Sequence, residues 1–145
     1  MKLLPAVLTL LFLQVGCSTT PPGHEASKAT AVVKELANTN QSWDGSTLPP
    51  YPTSQPKIKI LRIDIPAGTK LETHKHPVIN AGVLVSGQLT VVATNGKTMH
   101  LKAGDSIVEL VNTAHYGINE GNTPAEIIVF YAGTVDMPVT VVEPN

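Results

Sequence analysis

The sequence predicts an all-β domain, a small antiparallel sandwich or barrel. Three observations carry this expectation. Beyond residue 56 the chain breaks into short apolar or alternating runs, with turn signals every ~8–12 residues. Asn95-Gly96 separates two such runs and is the strongest short hairpin signal a sequence offers. No stretch after residue 40 repeats its apolar residues with helical period. A length of 145 residues and a hydrophobic content of 42% suit one domain with its own core, and no internal duplication argues for two barrels. Charged residues make up only 14% of the chain and the net charge is -1, so electrostatics give no case for nucleic acid or an anionic membrane surface as a partner.

The N-terminus reads as an export segment. Met1-Lys2 precedes an apolar run from Leu3 to Leu13, too short for a bilayer-spanning helix of ~20 residues but of the length of a signal h-region. It ends in Leu13-Gln14-Val15-Gly16-Cys17, which resembles the lipobox of bacterial lipoproteins, although Gln14 stands where that pattern has an aliphatic residue. The resemblance implies a signal peptide over 1–16, lipid attachment at Cys17 and a membrane anchor through that lipid alone. Ser18 after the cysteine resembles lipoproteins sent to an outer membrane. The expected location is periplasmic or outer-membrane-anchored, with an ordinary cleaved signal and a soluble secreted protein as the alternative. Cys17 is the only cysteine, so no intrachain disulfide can form.

Residues 17–55 are expected to be tether and loop. Ser18 to Gly23 is polar and proline-rich. A short helix over 25–37 is compatible with the alanines, valines and Leu36, though the apolar stripe is thin. Asn38 to Pro56 carries Asp44-Gly45, Pro49-Pro50 and Pro52, and its large rings, Trp43 and Tyr51, are expected to pin the loop over the barrel. His24 is read as solvated tether.

The barrel is expected over 56–145. Lys57 to Ile65 opens it, and its apolar parity shifts from Ile58 and Ile60 to Leu61, Ile63 and Ile65, which suggests a β-bulge near Ile60-Leu61. Pro66-Ala67-Gly68 turns, and Leu71 to His76 is a short strand. Ala81 to Val85 and Gln88 to Thr94 are strands divided by Ser86-Gly87. Lys97 to Lys102 returns from the hairpin, with His100 at its surface or rim. Ala103-Gly104-Asp105 turns into Ser106 to Val111. Thr113 to Ile118, the apolar run Glu126 to Ala132 and the closing Val139 to Val142 complete the series. Gly82, Gly87, Gly104 and Gly117 read as turn and close-approach positions; no helix follows any of them, so they do not form an anion cradle.

The chemistry-bearing residues stand out against this background. His74 and His76 are one residue apart on a strand, so their imidazoles share a face and form half of a transition-metal site. His115 lies in a later strand-like run. Gly68, five residues, His74, one residue, His76, and then Gly87 resemble the first signature of the cupin superfamily. Gly104, five residues, Leu110, then His115, three residues, Asn119 resemble the second, with Leu110 in place of the usual proline and Asn112 in place of the usual glycine. The resemblance covers roughly Lys57 to Ala132. It implies an antiparallel jelly-roll barrel holding a metal at His74, His76 and His115.

One departure bears on the site. The carboxylate that the first signature supplies four residues after its second histidine is Asn80 here. In cupins the residue before the second signature's proline position generally faces the interior, and some small cupins carry a glutamate there, as this chain does at Glu109. Glu109 is therefore the expected substitute ligand, the alternative being a carboxylate pointing outward or bonded to backbone. Two or three imidazoles with or without a carboxylate suit Zn, Fe, Mn, Ni or Cu. Tyr116 alternates away from His115 and is expected to pack, and Asn119 to cap the next turn. The expected function is an exported metal-binding cupin with an unidentified small-molecule partner. If it is an enzyme, the resemblance suggests a metal-dependent dioxygenase or isomerase. A non-catalytic binding barrel, or a structural homodimer without metal, is the alternative.

Overall fold

A computed structural model describes residues 30–144. The signal segment, Cys17, His24 and the first part of the tether lie outside the described residues. The described residues form nine strands in order: β1 (Pro56–Ile65), β2 (His74–Lys75), β3 (Ile79–Ser86), β4 (Gln88–Ala93), β5 (Thr98–Lys102), β6 (Ser106–Val108), β7 (His115–Ile118), β8 (Ala125–Thr134) and β9 (Val141–Val142). They form a four-stranded sheet, β1-β8-β3-β6, and a five-stranded sheet, β5-β4-β7-β2-β9, and every strand pair is antiparallel. This is the expected all-β jelly roll.

The hairpin forms where Asn95-Gly96 places it. Val92 pairs with Thr98, the Ala93 N–H donates to the Lys97 carbonyl, and the Asn95 side chain accepts from the Lys97 N–H at 3.0 Å. Between the sheets the core is aliphatic, with Leu84, Leu110, Ala125, Ile65 and Ile107 sealed from solvent. Each such Leu or Ile contributes about 1.5–3 kcal/mol of burial. Leu110, standing where the resembled second signature has proline, is one of the most buried of them. Asn112 adopts φ +56°, the left-handed backbone that its glycine counterpart would favour and that asparagine tolerates.

Two expectations are corrected. There is no bulge in β1: its ladder to β8 runs unbroken from Pro56↔Thr134 to Ile65↔Ala125. The parity shift has another cause. Leu61, Ile63 and Ile65 face inward, while Ile58 and Ile60 stand on the outer face beside Phe130, at 53%, 62% and 42% exposure. The strand simply carries apolar residues on both faces at different heights. The short helix over 25–37 is also absent from its described part, since residues 30–37 have no helical turn. A run this short, with so thin an apolar stripe, has too little to bury to offset helix nucleation. Of the two loop rings, Trp43 packs against the core as expected, whereas Tyr51 is largely exposed.

Gly87, between β3 and β4, sits at φ +75°, and a Cβ there would meet the Pro124 carbonyl oxygen at 2.6 Å and the Ala125 Cα at 2.8 Å. Gly96 has a similar φ of +87° but open space around it. Gly87→Ala should therefore lower the free energy of unfolding by about 2–3 kcal/mol, and Gly96→Ala by about 1 kcal/mol, as read by denaturant titration. Equal losses would show that backbone strain alone, not the packed neighbour, sets the requirement.

Candidate metal centre

Three strand segments bring the histidines together. His74 on β2 pairs directly with His115 on β7, which places residues 41 apart in sequence side by side on one sheet. Two residues on, His76 projects from the same face, and its backbone forms a bridge with Val111. The ring centroids form a nearly equilateral triangle, 5.0 Å from His74 to His76, 4.7 Å from His74 to His115 and 5.0 Å from His76 to His115. One ligand-type atom from each lies within 4.8 Å of the others.

The backbone fixes the tautomer of each ring. His74 Nδ1 donates to the Glu72 carbonyl at 2.7 Å, His76 Nδ1 to the Val139 carbonyl at 2.8 Å and His115 Nδ1 to the Thr113 carbonyl at 2.8 Å. A carbonyl oxygen can only accept, so each Nδ1 carries the proton and each Nε2 keeps its lone pair. The three free lone pairs are those a metal takes, and backbone partners on the opposite nitrogens are the usual means of holding such ligands.

Glu109 follows β6 and shares the inward parity of Ile107, as expected. It is 8% exposed, and its Oε2 lies 3.6 Å from His115 Nε2. That separation is long for a hydrogen bond, and both atoms are buried without a partner. Each buried orphan of this kind costs about 1–3 kcal/mol. Donors about 2.1 Å from a shared zinc-like ion sit roughly 3–3.5 Å apart, a spacing the Glu109–His115 pair approaches, while the three histidine donors lie within 4.8 Å of one another. The side chains present thus fit a divalent metal, by orphaned atoms and by donor chemistry.

Burial dominates the electrostatics. It lowers the pKa of His74 and of His115, and brings that of His76 down to about 4. These imidazoles are neutral, the form a metal requires. Burial pushes the Glu109 carboxyl up to about 7, against the opposing pull of the Leu110 N–H and the nearby His74. The Trp43 indole N–H also favours the ionised form, but without the geometry of a formed hydrogen bond. Tyr131, whose ring centre is 5.5 Å from that of His76, has its phenol raised to about 12 by burial and by Glu109.

The triangle forms one wall of a cavity of about 270 Å³. Leu61, Ile63 and Ile65 of β1, Leu89 and Val91 of β4, and Ile127 and Val129 of β8 supply aliphatic walls. Asn80, Tyr131 and Thr140 add polar groups. Tyr131 was not legible as a site residue beforehand, although its place in the inward series Ile127, Val129, Tyr131 would have marked it. His100 lies on the outer rim, bonded to Thr90 at 3.0 Å, and Tyr116 packs under the Lys70 ammonium at 3.9 Å. Asn119 is fully buried and caps its turn, accepting from the Gly121 N–H at 3.0 Å and donating to Thr123 and Ile65 carbonyls.

With that geometry in view, comparison with known proteins places the fold. The Cupin domain family matches residues 61–131 of the chain. No curated protein matches the sequence. Among solved structures, an uncharacterised protein with a double-stranded β-helix domain from Klebsiella pneumoniae is 19% identical, with a TM-score of 0.53 over 65% of this chain and 89% of that one. Oxalate oxidase in complex with glycolate is 24% identical, with a TM-score of 0.51 over 59% of this chain. This chain spans 45% of the oxidase's length. A structure of DMSP lyases gives 16% identity and a TM-score of 0.53 over 60% of this chain and 44% of that one. Fold and site together define the class: an antiparallel jelly-roll barrel that is similar to the cupin domain over residues 61–131, with three histidines positioned for a metal.

Without metal, Glu109 and His76 push stability in opposite directions with pH. A carboxyl raised from 4.5 to about 7 gives stability that is present below 4.5 and lost as pH rises through about 7. An imidazole lowered from 6.5 to about 4 gives stability present above 6.5 and lost as pH falls through about 4. Glu109→Gln removes the first trend only. In chelator-treated protein, the Tm of this variant should gain on wild type as pH is raised from 4.5 to about 8. A Tm difference that does not change with pH would show that Glu109 is not held in this buried, destabilised state.

Proposed function

We propose that this chain is an exported cupin that binds a divalent transition metal through His74 Nε2, His76 Nε2, His115 Nε2 and the Glu109 carboxylate, and that the metal and the apolar cavity together hold a small molecule. The observation that carries the reading is the pair of buried, unpartnered atoms, Glu109 Oε2 and His115 Nε2, 3.6 Å apart beside two further lone pairs. A bound metal supplies Lewis acidity, and redox capacity if it is Fe, Mn or Cu. The protein's own residues hold the imidazoles neutral and orient the ligand against aliphatic walls. Asn80, standing where the family's first signature has a carboxylate, leaves Glu109 to provide the negative charge.

Some 270 Å³ of largely apolar space beside the histidines favours a small-molecule site over one that only stores metal, and if the site turns its ligand over, a metal-dependent enzyme of dioxygenase or isomerase type is the reading. Export rests on the h-region and on Cys17, and anchoring on lipid at that thiol. Pairing of two copies through the exposed Ile58, Ile60 and Phe130 face belongs to the same proposal.

Elemental analysis of protein purified without chelator should find about one transition-metal ion per chain. Glu109→Gln should weaken metal affinity by at least ~10-fold, and His115→Ala should abolish stoichiometric binding. Metal-free wild type, or a Glu109→Gln variant with unchanged affinity, would contradict the assignment. Full-length protein expressed in bacteria should also incorporate labelled palmitate, and Cys17→Ala should lose the label. Equal labelling of both would refute the anchor.

A further inference from the structure

Asn80 is a polar group of the cavity that the metal reading leaves with an unpartnered atom. It lies on β3, opposite Tyr131 of β8, with its side chain inward and 1% exposure. Its Nδ2 donates to the Val78 carbonyl at 3.2 Å, which fixes the amide plane and directs the oxygen away from that bond. The Oδ1 is buried and has no partner. The backbone carbonyl of Asn80 accepts from the Glu109 N–H at 3.0 Å, so the amide stands directly beside the carboxylate's strand.

A neutral amide oxygen is a weak metal ligand beside three imidazoles and a carboxylate. It is a good hydrogen-bond acceptor, and a buried acceptor left unmade is costly. The rest of the lining limits what can satisfy it. Among the described residues no lysine or arginine lines the cavity, and its charged groups, Glu72 at the rim and Glu109 inside, are both acidic. A free carboxylate or phosphate on a ligand would find no cation there apart from the metal itself. Apart from the Tyr131 and Thr140 hydroxyls the remaining walls are mainly aliphatic, and the volume of about 270 Å³ falls just below the roughly 300 Å³ at which ligand pockets usually start.

We infer that the cavity takes a small, uncharged, mainly aliphatic molecule that offers one oxygen to the metal and one O–H or N–H donor to Asn80 Oδ1. Asn80 is thus a specificity-determining residue: its exchange for the family's carboxylate turns a metal-ligand position into a ligand-reading one. The inference rests on the metal reading above and deepens it.

The test uses two ketones of nearly the same shape, 1-hydroxy-2-hexanone and 3-heptanone, which differ by exchange of a hydroxyl for a methyl. Binding to wild-type protein loaded with Co(II) is followed by calorimetry and by the change in the cobalt visible spectrum. The hydroxyketone should bind about tenfold or more tightly than 3-heptanone, as one hydrogen bond to an otherwise orphaned acceptor implies. In Asn80→Leu, of similar volume, that ratio should fall to about one while the cobalt content stays that of wild type. Equal binding of the two ketones by wild type, or binding of neither, overturns the inference, and this needs no variant to fold. Loss of cobalt from Asn80→Leu also overturns it, by making Asn80 a ligand. Wild type that takes up no cobalt defeats the metal reading as well, whereas cobalt-loaded protein blind to the hydroxyl defeats this inference alone.

Discussion

The site depends on three backbone carbonyls, those of Glu72, Thr113 and Val139, each accepting from a histidine Nδ1. A barrel interior disfavours charge, so the imidazoles stay neutral and one nitrogen of each must remain an acceptor. The carbonyls decide which. Because they take up all three Nδ1 protons, the acceptors that remain point together into the cavity. Nothing in the aliphatic packing requires this arrangement. Leu or Val at the three positions would fill comparable space without leaving buried lone pairs unsatisfied.

The same logic connects the site to the sheets. β2 is only two residues long and is held between β7 and β9, so His74 is positioned by strands on both sides. His76 lies just past that strand and is tied to the segment after β6 by the Asn112 N–H, which donates to its carbonyl at 2.8 Å. Glu109 enters from the other sheet, beside Asn80. The site therefore closes only when both sheets are stacked, and it joins them at one end of the barrel. Ser42, whose hydroxyl donates to the Glu109 carbonyl at 2.8 Å, and Trp43, whose backbone N–H donates to the Val108 carbonyl at 2.9 Å, close the free edge of β6 there. The loop before the barrel thus supports the segment that carries the carboxylate.

Much of this was legible in the residue order. The alternation of β-branched and polar residues, the Asn-Gly turn and the spacing of the histidines specified strands, hairpin and half of the site, because period-two geometry converts sequence spacing directly into facing. Glu109 was legible for the same reason, as the inward neighbour of Ile107. Long-range matters were not. Ile58 and Ile60 read as a bulge because a strand's local pattern does not reveal that its two ends face different surroundings. Tyr131 and the orphaned oxygen of Asn80 become meaningful only once β3 and β8 are paired. The helix expected over 25–37 is absent over its described residues 30–37, because composition alone does not say what an apolar stripe packs against.

The most direct test is crystallographic: anomalous scattering collected above and below the absorption edge of the metal found in the as-isolated protein. The arrangement described here predicts one strong peak inside the barrel, about 2.0–2.2 Å from the Nε2 atoms of His74, His76 and His115 and from a Glu109 carboxylate oxygen. An empty triangle, or a peak ligated elsewhere with Glu109 turned away from it, would contradict the convergence on which the functional reading depends.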